Sequence, residues 1–249
     1  MNIVNVQVTV TFMTAITESD LITRQRHVLK LGGVLAFVGG LAYFMTLLVH
    51  GDLPDQTTEI ALNHIARRPE WPTLKLTLIA SIMMWVGAFI ALASSLTRGA
   101  SWLLSRMAAA CLMIGAAVVV VEYSILGYEI KRLADAWQAA TSAEREHLVL
   151  IAETQLAVTN GLFLSFIAWL LGLPYVLMGL AVALDGRYGS WLGWLAVAGG
   201  TGAFFTGVTR FLGMTIVPFP VLYGGFIIPL NLWLAGMGLA MWRQGGRRI

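Results

Sequence analysis

The chain has 249 residues, 58% of them hydrophobic and only 12% charged, with a formal net charge of +3 and a mean hydropathy of +0.77. Soluble domains are roughly 45–50% apolar and 25% charged, so a water-soluble fold is excluded. The small positive balance, spread over short loops, reads as membrane orientation rather than as a nucleic-acid surface, and a lone cysteine, Cys111, permits no intrachain disulfide and no cysteine metal cluster.

Residues 1–28 form an N-terminal extension. Met1 to Thr17 lack a basic segment followed by a compact apolar core, so they do not resemble a cleaved signal peptide. Val4, Val6, Val8, Val10 and Phe12 instead alternate with Asn5, Gln7, Thr9 and Thr11, the period of a half-buried strand. A lone strand in a helical membrane protein would be disordered, lie on a partner, or precede a true start at Met13. From Glu18 to Lys30 the pattern becomes that of a polar helix, with Ser19 or Asp20 as its cap.

Six apolar segments follow, at Leu29–Val49, Leu74–Leu96, Trp102–Leu126, Leu156–Leu184, Trp191–Leu212 and Val221–Trp242. Each is long enough to cross about 30 Å of hydrocarbon, which takes about 20 helical residues. In lipid every backbone polar group needs an internal partner, and no alternating barrel pattern is present, so helices are required. The expected fold is all-α: a polytopic bundle of six transmembrane helices over residues 29–243, then a basic tail at 244–249. Placing the N-terminus in the cytoplasm puts nine basic residues inside, among them Arg24, Arg26, Arg98, Arg106, Arg187 and Arg243, against seven on the other face. Both termini are therefore expected inside.

Two longer connections on the outer side carry helical signals. Asp55 or Thr57 caps a short helix through Arg67 that Pro69 stops, and Thr141 with Glu144 forms a capping box for a helix running into the fourth span. Ile60, Leu62 and Ile65 in the first, and Leu148 and Ile151 in the second, give each a partly apolar face, so both are expected to lie as short amphipathic caps over the outer end. Trp71, Trp102, Trp137, Trp191, Trp194 and Trp242 fall at span ends, where indole rings favour the headgroup level.

A weak echo links the first and fifth spans. An offset of 160 residues aligns Gly33 with Gly193, Ala36 with Ala196, Gly39 with Gly199, Gly40 with Gly200 and Phe44 with Phe204. Ala36/Gly40 and Ala196/Gly200 are small-residue faces that suit close helix packing, and the echo predicts contact between these two helices. Asn231, between Pro229 and Trp233 in the sixth span, is expected to hydrogen-bond across helices. Pro174 suggests a kink in the fourth.

The residues open to chemistry are few. Glu122 follows an uninterrupted apolar run from Trp102 to Val121, and a carboxylate there costs a few kcal/mol unless neutral, paired or near water. The topology brings His50, Gln155, Asn160, Arg210 and Tyr223 to the same level, with Arg210 the expected partner of Glu122. The set reads either as a polar pocket for a lipid headgroup, a small ligand or a proton, or as a structural polar knot with snorkelling side chains. The four histidines, His27, His50, His64 and His147, lie in loops or at span ends and offer no facing pair for haem. No catalytic motif, phosphate loop or metal set is present, so no cofactor and no metal are expected.

The loop from Gly51-Asp52 to Pro69-Glu70-Trp71, the stretch Gly172 to Gly179, and the turn Gly186-Arg187-Tyr188-Gly189-Ser190-Trp191-Leu192-Gly193-Trp194-Leu195 leading into Gly199-Gly200 together resemble an uncharacterised bacterial six-span membrane family, a domain of unknown function. The resemblance covers about Lys30 to Trp242. It departs at Gly189-Ser190, where Pro-Arg is the family pattern, and in the Val-alternating N-terminus. It implies a bacterial inner membrane and this architecture, and lends no activity or functional residues.

Three functions remain in competition. An accessory subunit packing in a larger membrane complex fits the missing catalytic motifs, the glycine seams and a strand wanting a partner; its partners would be other membrane subunits and lipids, not nucleic acid. A binder or carrier of a lipid or small apolar molecule would use Glu122, Arg210, His50, Asn160 and Tyr223. An outer-face enzyme has only Glu122 and His50 to support it.

Overall fold

The structure, a computed structural model, describes residues 18–50 and 57–246. The alternating segment Val4–Phe12, the alternative cap Asp55, and Arg247 and Arg248 of the basic tail lie outside the described residues. Within them the chain is helical without strands. Helix α1 spans Glu18–His50, α2 Thr58–Ala66 and α3 Trp71–Ser95. Helix α4, Gly99–Ser124, passes through a widened π turn at Ile125–Glu129 into α5, Ile130–Ala139. Helix α6, Ser142–Phe166, passes through a second π turn at Ile167–Gly172 into α7, Leu173–Asp185. Helix α8 covers Ser190–Phe211, and the last span is α9, Phe219–Leu222, a third π turn at Tyr223–Ile227, and α10, Ile228–Gly246.

Six of the resulting rods are long and apolar enough to cross a membrane, so the protein is a multi-pass membrane protein. The polar helix expected ahead of the first span is continuous with it, and Ser19 and Asp20 lie inside α1 rather than before it. The tail likewise begins as helix, since α10 runs to Gly246. The third and fourth rods are much longer than a bilayer needs, at 41 and 44 residues. At 1.5 Å per residue each is about 60 Å long, twice the hydrocarbon thickness. Their excess forms a helical hairpin, α5 with the start of α6, at the end of the bundle opposite the described ends of the chain. The second outer-loop helix runs into the fourth span, as its capping box implied, and is not a separate short cap.

Helix α2 lies against that hairpin. Its N-cap is Thr57, whose hydroxyl accepts from the Ile60 amide, and Thr141 with Glu144 makes the capping box that starts α6. Leu62, Ile65, Trp71, Ile130, Ala134 and Ala152 form a small apolar core of their own in this headpiece. Leu62 and Ile65 are fully buried as expected, whereas Ile60 and Ile151 stay exposed. Basic side chains close the helix ends where carbonyls lack partners. Arg68 donates to the His50 carbonyl of α1, Lys131 to Ala66 of α2, and Arg145 to Trp137 of α5. At the other end of the bundle Arg106 and Arg187 donate to Ala93, Leu96 and Ser95 at the end of α3. Beside them Tyr188, in the turn before α8, bonds to the Ser95 hydroxyl at 2.8 Å, and burial raises its pKa.

The first and fifth rods do not pack together as the echo predicted. Helix α1 packs on α10 and α3, and α8 on α7 and the π turn before it. The matched residues nonetheless do matching work. A Cβ on Gly33 would lie 2.6 Å from the Gly238 carbonyl, and one on Gly238 2.6 Å from that of Gly33; Gly40 then faces Asn231. In the second pair a Cβ on Gly193 would lie 2.4 Å from the Gly179 carbonyl, and Gly200 faces Gly172. Each is an antiparallel crossing where backbones touch because side chains are absent. Ala36 and Ala196 are fully buried beside these crossings.

Trp102, Trp191, Trp194 and Trp242 expose about half or more of their surface around the end nearest the described chain ends, as interface anchors do. Trp71 and Trp137 are exceptions: Trp71 is 1% exposed and belongs to the headpiece core, and Trp137 is half-buried against it.

Candidate functional site

Pro72 sits in the first turn of α3, where its missing N–H costs nothing, and so starts the helix at Trp71 rather than at Leu74. That shift places Lys75 one turn inside the span. In α4 the last α turn carries Glu122 and Tyr123, and the π turn that follows displaces Gly127 toward α3. A Cβ on Gly127 would come within 2.8 Å of the Lys75 Cβ, so only glycine lets the two rods close here. The Trp71 indole donates to the Leu126 carbonyl at 2.8 Å, fixing the π turn to α3.

The result is a pair of buried opposite charges. Lys75 is 4% and Glu122 2% exposed. The Lys75 ammonium lies 4.7 Å from the centre of the Trp71 ring and 4.9 Å from that of Tyr123. Such cation–π contacts are worth roughly 0.5–2 kcal/mol each. The charges of Lys75 and Glu122 act on one another, yet no ion-pair contact joins them. Glu122 Oε2 is buried and has no hydrogen-bond partner among the described residues. Below them the Tyr123 and Tyr43 hydroxyls are 3.4 Å apart.

These groups open onto a cavity of about 1310 Å³, larger than the roughly 300–1,000 Å³ of ordinary ligand pockets. All six rods contribute to its wall, together with Thr57, Thr58 and Ala61 of α2. It exists because the headpiece stretch of the fourth rod, α6, buries little besides Ala152, Thr159 and Phe166, whereas α7 beyond the π turn is packed closely on α8.

Glu122, Arg210, His50, Asn160 and Tyr223 all line this one cavity. Gln155 does not. The expected Glu122–Arg210 ion pair is absent; the countercharge is Lys75, and Arg210 donates to the Val217 carbonyl at 2.7 Å. His50 stacks on Trp71 with ring centres 4.6 Å apart. Tyr223 opens the π turn of the sixth rod, and π turns recur at functional sites. Asn231 is deeper and outside the cavity. Its amide donates to Ile227 within its own helix at 2.9 Å, not across helices, and its Oδ1 is buried without a partner among the described residues.

Lys75, Trp71 and Tyr123 were missed in the sequence. The signal for Lys75 was Pro72, which marks a helix start upstream of Leu74 and so carries Lys75 a turn into the span. Among the described residues no group of three or more His, Cys, Asp or Glu is placed to hold a metal ion. Compared with known protein families, curated proteins and solved structures, the chain matches none.

Proposed function

We propose that this is a bacterial inner-membrane protein, both termini cytoplasmic and the headpiece outside, that binds a lipid or small apolar molecule in the cavity between the outer ends of its rods. The observation that carries this reading is the cavity itself: about 1310 Å³ beside rods that elsewhere cross backbone to backbone, with a buried carboxylate in its wall. Leu47, Leu78, Phe163 and Leu164 supply apolar surface for a tail, and His50, Arg210, Tyr223 and Asn160 supply polar groups around it. A few polar groups in a mostly apolar concavity is the composition of ligand sites.

The accessory-subunit reading loses one of its supports, because the glycine faces that suggested a partner are occupied inside the chain: Gly33 and Gly40 by α10, Gly193 and Gly200 by α7. The test is purification in mild detergent followed by mass spectrometry of extracted small molecules. A bound amphiphile should accompany the wild-type chain and be lost from Glu122→Gln and Arg210→Ala variants that still fold. Recovery of stoichiometric companion proteins with no bound small molecule would overturn the proposal in favour of the subunit reading.

A further inference from the structure

We infer that the ligand presents a neutral hydroxyl to Glu122 Oε2, so that the cavity selects amphiphiles with a hydrogen-bond donor and no charge at their deep end. This rests on the cavity-binding reading above and specifies its chemistry. The first ground is the orphaned oxygen: a 2% exposed carboxylate in the cavity wall whose Oε2 has no hydrogen-bond partner among the described residues. An ionised carboxylate accepts only, and a buried acceptor left unmade is costly, so what completes it is a donor. The second ground is charge balance. Lys75 already supplies one positive charge against Glu122, and its ammonium is covered by the Trp71 and Tyr123 rings. A cationic or anionic head brought to this depth would leave a net charge in low dielectric, where desolvation penalises it heavily. A hydroxyl donates to Oε2 and leaves the balance at zero.

The tail then lies along Leu78, Phe163 and Leu164. Charged portions of a larger ligand, if any, belong nearer Thr57, Glu153 and Arg210. The same hydroxyl chemistry could come from a free long-chain alcohol or from a glycerolipid with an unesterified hydroxyl.

The experiment is native mass spectrometry of the purified full chain in detergent, titrated with a long-chain primary alcohol, its methyl ether, and the amine and carboxylic acid of equal chain length. The alcohol should form its adduct at about tenfold lower concentration than the ether, the value of one well-made hydrogen bond to a charged group. The double substitution Lys75→Met with Glu122→Leu should erase that preference while the ether still binds. Should the double variant not fold, quenching of the Trp71 fluorescence difference (wild type minus Trp71→Phe) by a chain-brominated alcohol locates the site instead. A diacylglycerol arm separates the two sources, because two tails compete with the alcohol only if the cavity opens to the bilayer. Equal binding of alcohol and ether, or stronger binding of amine or acid, overturns the hydroxyl assignment while leaving cavity binding intact. Failure of every probe overturns both.

Discussion

Removing Lys75 alone should unfold the bundle more readily than removing Lys75 and Glu122 together. Both side chains are buried, at 4% and 2% exposure, and each is the other's countercharge. Breaking a buried pair by deleting one partner typically costs about 3–5 kcal/mol, whereas replacing both with apolar residues of similar volume is close to neutral. Here the lower end applies, because the effective dielectric even at buried sites is nearer 20 than 4. Lys75→Met keeps a side chain of similar length against Trp71 and Tyr123, and thioether contacts with rings partly replace the lost cation–π attraction. Lys75→Met and Glu122→Leu should each destabilise by about 3 kcal/mol and the double variant by less than about 1 kcal/mol. The assay is equilibrium unfolding in bicelles with increasing denaturing detergent, read by far-ultraviolet circular dichroism. Strictly additive losses, or singles no less stable than the double, would show that the two charges do not act on one another and would refute the electrostatic account of the site.

Three further outcomes are expected. Gly33→Ala drives a methyl to within 2.6 Å of the Gly238 carbonyl and should cost about 1–3 kcal/mol through overpacking, whereas Gly236→Ala meets nothing and should be neutral or stabilising by up to about 1 kcal/mol. Thermal unfolding of the two variants side by side checks this. Asn231→Leu removes a buried amide oxygen that has no partner among the described residues, so it should leave stability unchanged or raise it; a loss above about 2 kcal/mol would mean the amide bonds something essential. His64, in α2 outside the spans, has its pKa lowered by burial and by Arg68. The fold therefore prefers the neutral ring, and docking of α2 should be intact above about pH 6.5 and weaken as the pH falls below it. The Trp71 fluorescence, edge-on to His64, should follow that change and stop following it in His64→Gln.

The spans were legible because lipid imposes a coarse rule: a long apolar run must be a helix. The same coarseness hid how far each rod extends. Nothing in hydropathy says that α4 continues beyond Leu126 into α5, since the continuation at Ile130–Ala139 is amphipathic and draws its stability from α2 and α6. The site was half legible. Glu122 stood out because it interrupts an apolar run, and the topology brought His50, Asn160, Arg210 and Tyr223 to the same cavity. Choosing its countercharge required the rotation of each helix about its own axis, which leaves no mark in composition. Small-residue faces had the same ambiguity: Gly40 and Gly200 announce a close neighbour and do not say which.

The crossing of Gly33 with Gly238 joins rods at opposite ends of the chain, whereas that of Gly193 with Gly179 joins neighbours. During synthesis the fourth and fifth rods can therefore clasp as soon as both have left the translocon. The first rod, inserted earliest, must keep its glycine seat vacant until the last has been made. A ribosome stalled before α10 would leave that seat open to lipid, with the first rod held through its other glycines, Gly32 and Gly39, against α3 alone.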